Sequence, residues 1–124
     1  MGAWSEQELT TIDQTDELGI ASRRPDGTLR PFVTIWVVRV GDEVYVRSAH
    51  GTANPWFERA SRSGAGRISV GDLERDVEFE AVGDGAHGAI DAAYHAKYDR
   101  YGRWVKPVVG ADSWPGTLRV VPAT

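Results

Sequence analysis

Residues 31–48 read PFVTIWVVRVGDEVYVRS, and this stretch decides the fold. From Phe32 to Val40 nearly every position is β-branched or aromatic, the composition of a strand. Its apolar residues do not alternate with polar ones, so the run is expected to form one central strand covered on both faces. Gly41-Asp42 turns the chain, and Val44 to Ser48 returns as its antiparallel partner.

Outward from this pair, both flanks carry short elements with tight punctuation. Pro25-Asp26-Gly27 is a turn signal, and Leu18 and Ile20 alternate with polar or small neighbours as a short strand. Before it, Ser5 and Glu8 stand at capping-box spacing, with Trp4 and Leu9 as a hydrophobic staple, so a helix is expected to run from there to about Asp13. Downstream, Asn54-Pro55 opens a helix that reaches roughly Arg62. Ile68 and Val70 make a strand, Gly71-Asp72 turns, and Glu74–Val82 alternates, with Val77, Phe79 and Ala81 on one face. Ile90, Ala93, Tyr94, Lys97, Tyr98 and Tyr101 fall on one face of a helix over residues 89–101. A Trp/Pro/Gly loop leads to a last strand, Thr117–Val121. The expected fold is mainly β (α+β): a small closed or split barrel of about six antiparallel strands with two or three flanking helices, one domain over residues 1–124.

Composition narrows the function classes. The 124 residues include no cysteine, which excludes disulfides, thiolate metal sites and cysteine nucleophiles and fits the cytoplasm. Net charge is −4 and no basic stripe extends from any arginine cluster, so nucleic-acid binding is not expected. The longest apolar run is Ile35–Val38, far short of the ~20 residues of a membrane helix. His50, His87 and His95 lack metal-ligand spacing, so no metal site is expected. Five tryptophans in so short a chain point to a compact aromatic core or to the seat of a flat ligand.

Three groups of residues carry chemistry. Arg47 and Ser48 end a strand just before Thr52 and the Asn54-Pro55 helix entry, and the free N–H groups of a helix start attract anions. Arg47, Ser48 and Thr52 are therefore candidate phosphate anchors; the other reading of Arg47 is a partner for a nearby carboxylate. At a strand end beside polar neighbours, its replacement is expected to leave folding nearly unchanged. Arg23, Arg24 and Arg30 gather around one turn, either as a solvated hairpin tip or as an anion funnel toward the same ligand. Lys97 interrupts the apolar face formed by Tyr94, Tyr98 and Tyr101. It either snorkels to solvent or lines a pocket, where Lys97 and Tyr98 are the candidates for proton transfer.

The segment from Arg24 to Ala60 resembles the core of the flavin-binding split-barrel superfamily, which includes pyridoxamine-phosphate-oxidase-like proteins and deazaflavin-dependent reductases. The resemblance rests on a hairpin followed by the Val46-Arg47-Ser48 strand end and a Gly51…Pro55-Trp56-Phe57 helix entry, and with the strand pair that follows it covers about residues 18–82. The whole chain is similar to an uncharacterised bacterial family through Trp4–Leu9, Arg24–Arg30, Ala93–Tyr98 and Thr117–Pro122. The superfamily implies a homodimer with cofactor sites across its interface. It further implies FMN or a deazaflavin, with Arg47, Ser48 and Thr52 at the phosphate, Arg30 in support, and the flat ring along Val33, Thr34 and Ile35. Trp36, Trp56 and Tyr98 are candidate ring walls. The chain departs from the pattern at Ala53-Asn54, where phosphate-oxidase-like proteins carry a second basic residue, and at Pro25-Asp26-Gly27, where the deazaflavin branch carries a Lys/Arg-Ser-Gly turn. The expected activity is oxidoreduction of a small organic substrate. A cofactor-free small-molecule binding protein using the same aromatic cavity is the alternative, and a structural subunit with a tryptophan core the third reading.

Overall fold

The computed structural model describes residues 3–49 and 51–123. Helix α1 (Glu6–Gln14) starts at the expected capping box: the Ser5 hydroxyl accepts from the Glu8 N–H at 3.1 Å, and the Glu8 carboxylate accepts from the Ser5 N–H at 2.8 Å. Trp4 is buried, and its indole N–H reaches the Val120 carbonyl at 3.2 Å, which ties the helix entry to the last strand. Strand β1 (Glu17–Ser22) follows, and after the Pro25 turn come β2 (Val33–Trp36), β3 (Val38–Val40) and β4 (Glu43–Arg47). Helix α2 (Pro55–Ser63) leads to the hairpin of β5 (Ala65–Val70) and β6 (Leu73–Ala81); then come α3 (His87–Tyr98), two 3₁₀ stretches (Asp99–Val108 and Ala111–Gly116) and β7 (Thr117–Pro122).

The strands form one seven-stranded sheet in the order β2-β1-β5-β6-β7-β4-β3, every neighbouring pair antiparallel. The expected split barrel of mainly β (α+β) class is present, with one strand more than the sequence reading. The extra strand has a physical cause. The run Phe32–Val40 is not one central strand; it breaks at Val37 and its halves lie at opposite ends of the sheet. The Val37 N–H donates to the Tyr98 hydroxyl at 3.0 Å, and its carbonyl accepts from Lys97 Nζ at 2.8 Å. These side-chain partners replace the strand neighbour that an unbroken ladder would supply. The same ammonium holds the Ile12 and Thr15 carbonyls at 3.0 and 2.8 Å, so it also binds the end of α1. The Tyr98 hydroxyl in turn donates to the Asp16 carbonyl at 2.7 Å.

Two apolar clusters sit on opposite faces of the sheet. The interior holds Leu18, Ile20, Val37, Val46, Ile68, Val77, Phe79 and Val120 with Leu9 and Ile12 of α1 and Trp56, Phe57 and Ala60 of α2. The outer cluster packs Ile90, Tyr94 and Tyr98 of α3, with Val105 and Val108, against Val38 and Tyr45. The strand covered on both faces is therefore β4, while Phe32 and Val33, expected to be enclosed, are 45% and 40% exposed. Ala81, the last residue of β6, is likewise exposed although it pairs with Leu118 of β7.

Tyr98→Phe is expected to cost about 1–3 kcal/mol, because it leaves the buried Val37 N–H without a partner. Lys97→Met is expected to cost a similar amount by releasing three carbonyls at once. Urea unfolding of both variants checks this, and wild-type stability in each would contradict the role given to the seam.

Candidate functional site

An apolar-walled cleft of about 390 Å³ opens where β2, the entry of α2 and the first 3₁₀ stretch meet. Strand β2 contributes Val33, Thr34, Ile35 and Trp36; the loop and α2 contribute Ala49, Asn54 and Trp56; the 3₁₀ stretch contributes Trp104 and Val108. The sheet pairs β2 only with β1, so alternate peptide groups along Val33–Trp36 face away from the ladder. Trp36 is backed by the ring of Tyr98, stacked at 4.1 Å between centroids and 6° from parallel. At the start of α2, Pro55 has no N–H, Asn54 makes no side-chain cap bond, and Glu58 is the first residue bonded back to Asn54. The Trp56 and Phe57 N–H groups therefore lie ahead of the first helical hydrogen bond.

Val33, Thr34, Ile35 and Trp56 thus line one cleft, whereas the expected anion anchors separate. Arg47 reaches the cleft wall, but its side chain is fully buried behind it. Nε donates to Thr117 Oγ1 at 2.9 Å, Nη1 to the Val108 carbonyl at 2.8 Å and to the Asp91 carboxylate, and Nη2 to His87 Nδ1 at 3.2 Å. Its cation also lies over the ring of Tyr94, 5.6 Å from the centroid. Every guanidinium nitrogen is committed inside the protein, so of the two readings of Arg47 the carboxylate pair is the one the structure shows. Ser48 is buried and donates to the Gly51 carbonyl at 2.6 Å; Thr52 is exposed, and neither lines the cleft. Arg30 lines a small hollow beside the cleft that shares Val33 and Trp56 and also holds Arg59, and its buried Nε has no partner. Arg23 and Arg24 are occupied by the turn itself and by Asp76.

Lys97 and Tyr98 also stand away from the cleft, at the seam below Trp36. Burial pushes the Lys97 ammonium down to about 8, against the pull of Asp13 and Asp16, and burial raises the Tyr98 hydroxyl above its ordinary value. Instead of snorkelling to solvent or facing a pocket, Lys97 binds backbone carbonyls. His50 lies outside the described residues, and among those described no three acidic or histidine side chains gather as a metal cluster.

The sequence reading missed the group around Arg47. His87, placed in a loop from sequence, is the buried first residue of α3, and its ring stacks on Trp114 at 4.9 Å. Asp91, one turn on, also receives the Gly110 N–H at 3.2 Å and the Trp114 indole N–H at 3.4 Å. Burial opposes the Asp91 charge, but Arg47 and the Gly110 N–H hold its carboxyl below the usual value. Burial and the Arg47 cation lower His87, keeping it neutral with its Nδ1 free to accept.

A family model described as an uncharacterized protein conserved in bacteria (DUF2255) matches residues 8–120. The chain belongs to this family. No functionally curated protein matches the sequence. Among solved structures, this DUF2255 chain is similar to a putative pyridoxamine 5′-phosphate oxidase from Listeria innocua, at 16% identity and TM-score 0.61, covering 95% of this chain and 90% of that one. It is similar to an F420-H2 dependent reductase at 13% identity and TM-score 0.59, covering 88% and 95%. It also resembles a FAD-binding protein from Mesorhizobium loti at 18% identity and TM-score 0.57, covering 98% and 92%. At these identities the likenesses show the fold alone, a split barrel.

Arg47→Ala is expected to destabilise the fold by about 2–4 kcal/mol, since it empties a fully buried guanidinium site and leaves the half-buried Asp91 carboxylate and the Val108 carbonyl without their donor, and Arg47→Lys to recover only part of that. Denaturant titration decides between this and the small loss expected of an exposed strand-end cation. His87 adds a pH signature. Its folded pKa is depressed, so as pH falls below about 6.5 the unfolded chain takes up a proton that the folded chain refuses, and stability drops. Melting temperature between pH 7.5 and 5.5 is expected to fall more steeply in wild type than in His87→Asn; parallel slopes would contradict the assignment.

Proposed function

We propose that this chain binds a flavin-type cofactor, FMN or a deazaflavin, and acts in the cytoplasm as an oxidoreductase on a small organic substrate. The observation that carries the reading is the cleft itself: a strand edge with alternate peptide groups free, Val33, Thr34 and Ile35 along one side, and indoles of Trp36, Trp56 and Trp104 around it. A flat heterocycle with polar edges fits such a wall, its faces on apolar side chains and its edge on the β2 backbone. The bound cofactor supplies the hydride chemistry; the protein orients the ring and excludes water. With Arg47 committed elsewhere, the anionic end of the ligand goes to the start of α2, near Thr52 and Asn54, with Arg30 in support. The likeness to the reductase and the FAD-binding protein supports a flavin-type ligand.

A homodimer belongs to the same reading. Phe32 and Val33, large and exposed at the β2 edge, adjoin the cleft, and a second copy is the partner that covers them.

One observation favours the alternative of a cofactor-free small-molecule binding protein: the internal pairing of Arg47 takes the strongest cation away from the cleft. Titration with FMN and with a deazaflavin, followed by absorbance, separates the two. Saturable binding of one cofactor per chain is expected, weakened about tenfold by Val33→Glu, which places a charge against the ring. Absence of binding to either cofactor by a folded wild type would transfer the cleft to the cofactor-free reading.

A further inference from the structure

Trp104 is the most exposed of the large apolar side chains among the described residues, at 63%, and yet it lines the cleft. An indole left largely in water serves no core, and its neighbours do not hold it down. Gly102, Arg103 and Trp104 are all exposed; the nearest fasteners are Val105 and Val108, buried further along the same stretch. The Val108 carbonyl is tied to Arg47 at 2.8 Å and the Gly110 N–H to Asp91 at 3.2 Å. Gly102 (φ 64°, ψ −127°) interrupts the 3₁₀ stretch, and Gly110 (φ 83°) stands between it and the next; both sit in backbone regions that other residues avoid. The strap from residue 103 to 109 therefore lies between two glycines in the left-handed region, fastened through Val105 and Val108 in its second half and exposed in its first. Arg103 lies over the indole, 5.2 Å from its centroid, so a cation accompanies the one cleft-lining side chain of this stretch that is largely exposed.

We propose that Trp104 is a ligand-contacting residue on a movable strap: when a planar, negatively charged aromatic molecule rests on Val33–Trp36, the indole closes onto its outer face. Arg47 and Asp91 act as positioning residues that fix the hinge end of the strap. This inference rests on the reading of the cleft given above. It extends that reading by assigning the cap and the chemical class it selects, flat rings over bulky or saturated ones.

The test uses two planar anionic probes, FMN and anthraquinone-2-sulfonate, on wild type, Trp104→Ala and Trp104→Phe. Thermal melts establish that each variant is folded, as expected at an exposed position. Affinity by equilibrium titration is expected to fall about threefold to tenfold in Trp104→Ala, the effect of losing one aromatic stacking partner, and to return to within about twofold of wild type in Trp104→Phe. Bound probe is also expected to slow trypsin cleavage after Arg103 several-fold in wild type and not in Trp104→Ala. Unchanged affinity in Trp104→Ala, or cleavage after Arg103 indifferent to bound probe, overturns the cap and leaves the cleft reading standing. Failure of both probes to bind wild type overturns the cleft reading, and the cap with it.

Discussion

The peptide group of Val37 is the point on which the architecture turns. Its N–H and carbonyl are held by Tyr98 and Lys97, residues some sixty positions away in the chain. An unbroken strand would have placed Phe32–Val40 in mid-sheet with no opening beside it. The break sends β2 to one end of the sheet and β3 to the other, so the barrel closes on itself without a continuous ladder across the seam. The cleft opens along the freed edge of β2. Lys97 also binds two carbonyls at the end of α1, so one ammonium joins helix, seam and strand break. Because a buried peptide group must find a partner, α3 cannot leave this position without exposing Val37 unpaired.

The same helix fixes the other side of the cleft by a different chemistry. His87 and Asp91, one turn apart near the start of α3, meet Arg47 from β4, and Asp91 continues to the loop at Gly110 and Trp114. The cleft thus has a packed floor, with Trp36 stacked on Tyr98, and an outer wall fastened, among the described residues, at Val105, Val108 and Gly110. A packed floor beneath an exposed outer wall suits the proposed role of orienting a flat ligand while still admitting it.

Local features were legible in the sequence because their partners are close along the chain. The Ser5–Glu8 capping box, the Gly41 turn and the β5–β6 hairpin each rest on neighbours within a few residues. That Val33, Thr34, Ile35 and Trp56 would share one cleft followed only from the superfamily resemblance, since nothing in the local pattern brings β2 beside the start of α2. The break at Val37 was not legible, since nothing in VTIWVVRV shows that a tyrosine and a lysine far downstream will take its hydrogen bonds. Arg47 was misjudged for the same reason: its carboxylate lies on α3, 44 positions later. A trace of that pairing did exist, because His87, Asp91 and Tyr94 share one face at helical spacing, an acid and an imidazole inside an otherwise apolar stripe.

The central claim is that a flat ligand sits on the β2 edge, between the start of α2 and Trp104. Backbone and indole ¹H–¹⁵N correlation spectra of the uniformly labelled chain, recorded while FMN is added, test it most directly. The account predicts shifts concentrated at residues 33–36, Asn54, Trp56 and the Trp104 indole, with the β5–β6 hairpin unmoved. Shifts centred on that hairpin, or none at saturating FMN, would contradict it.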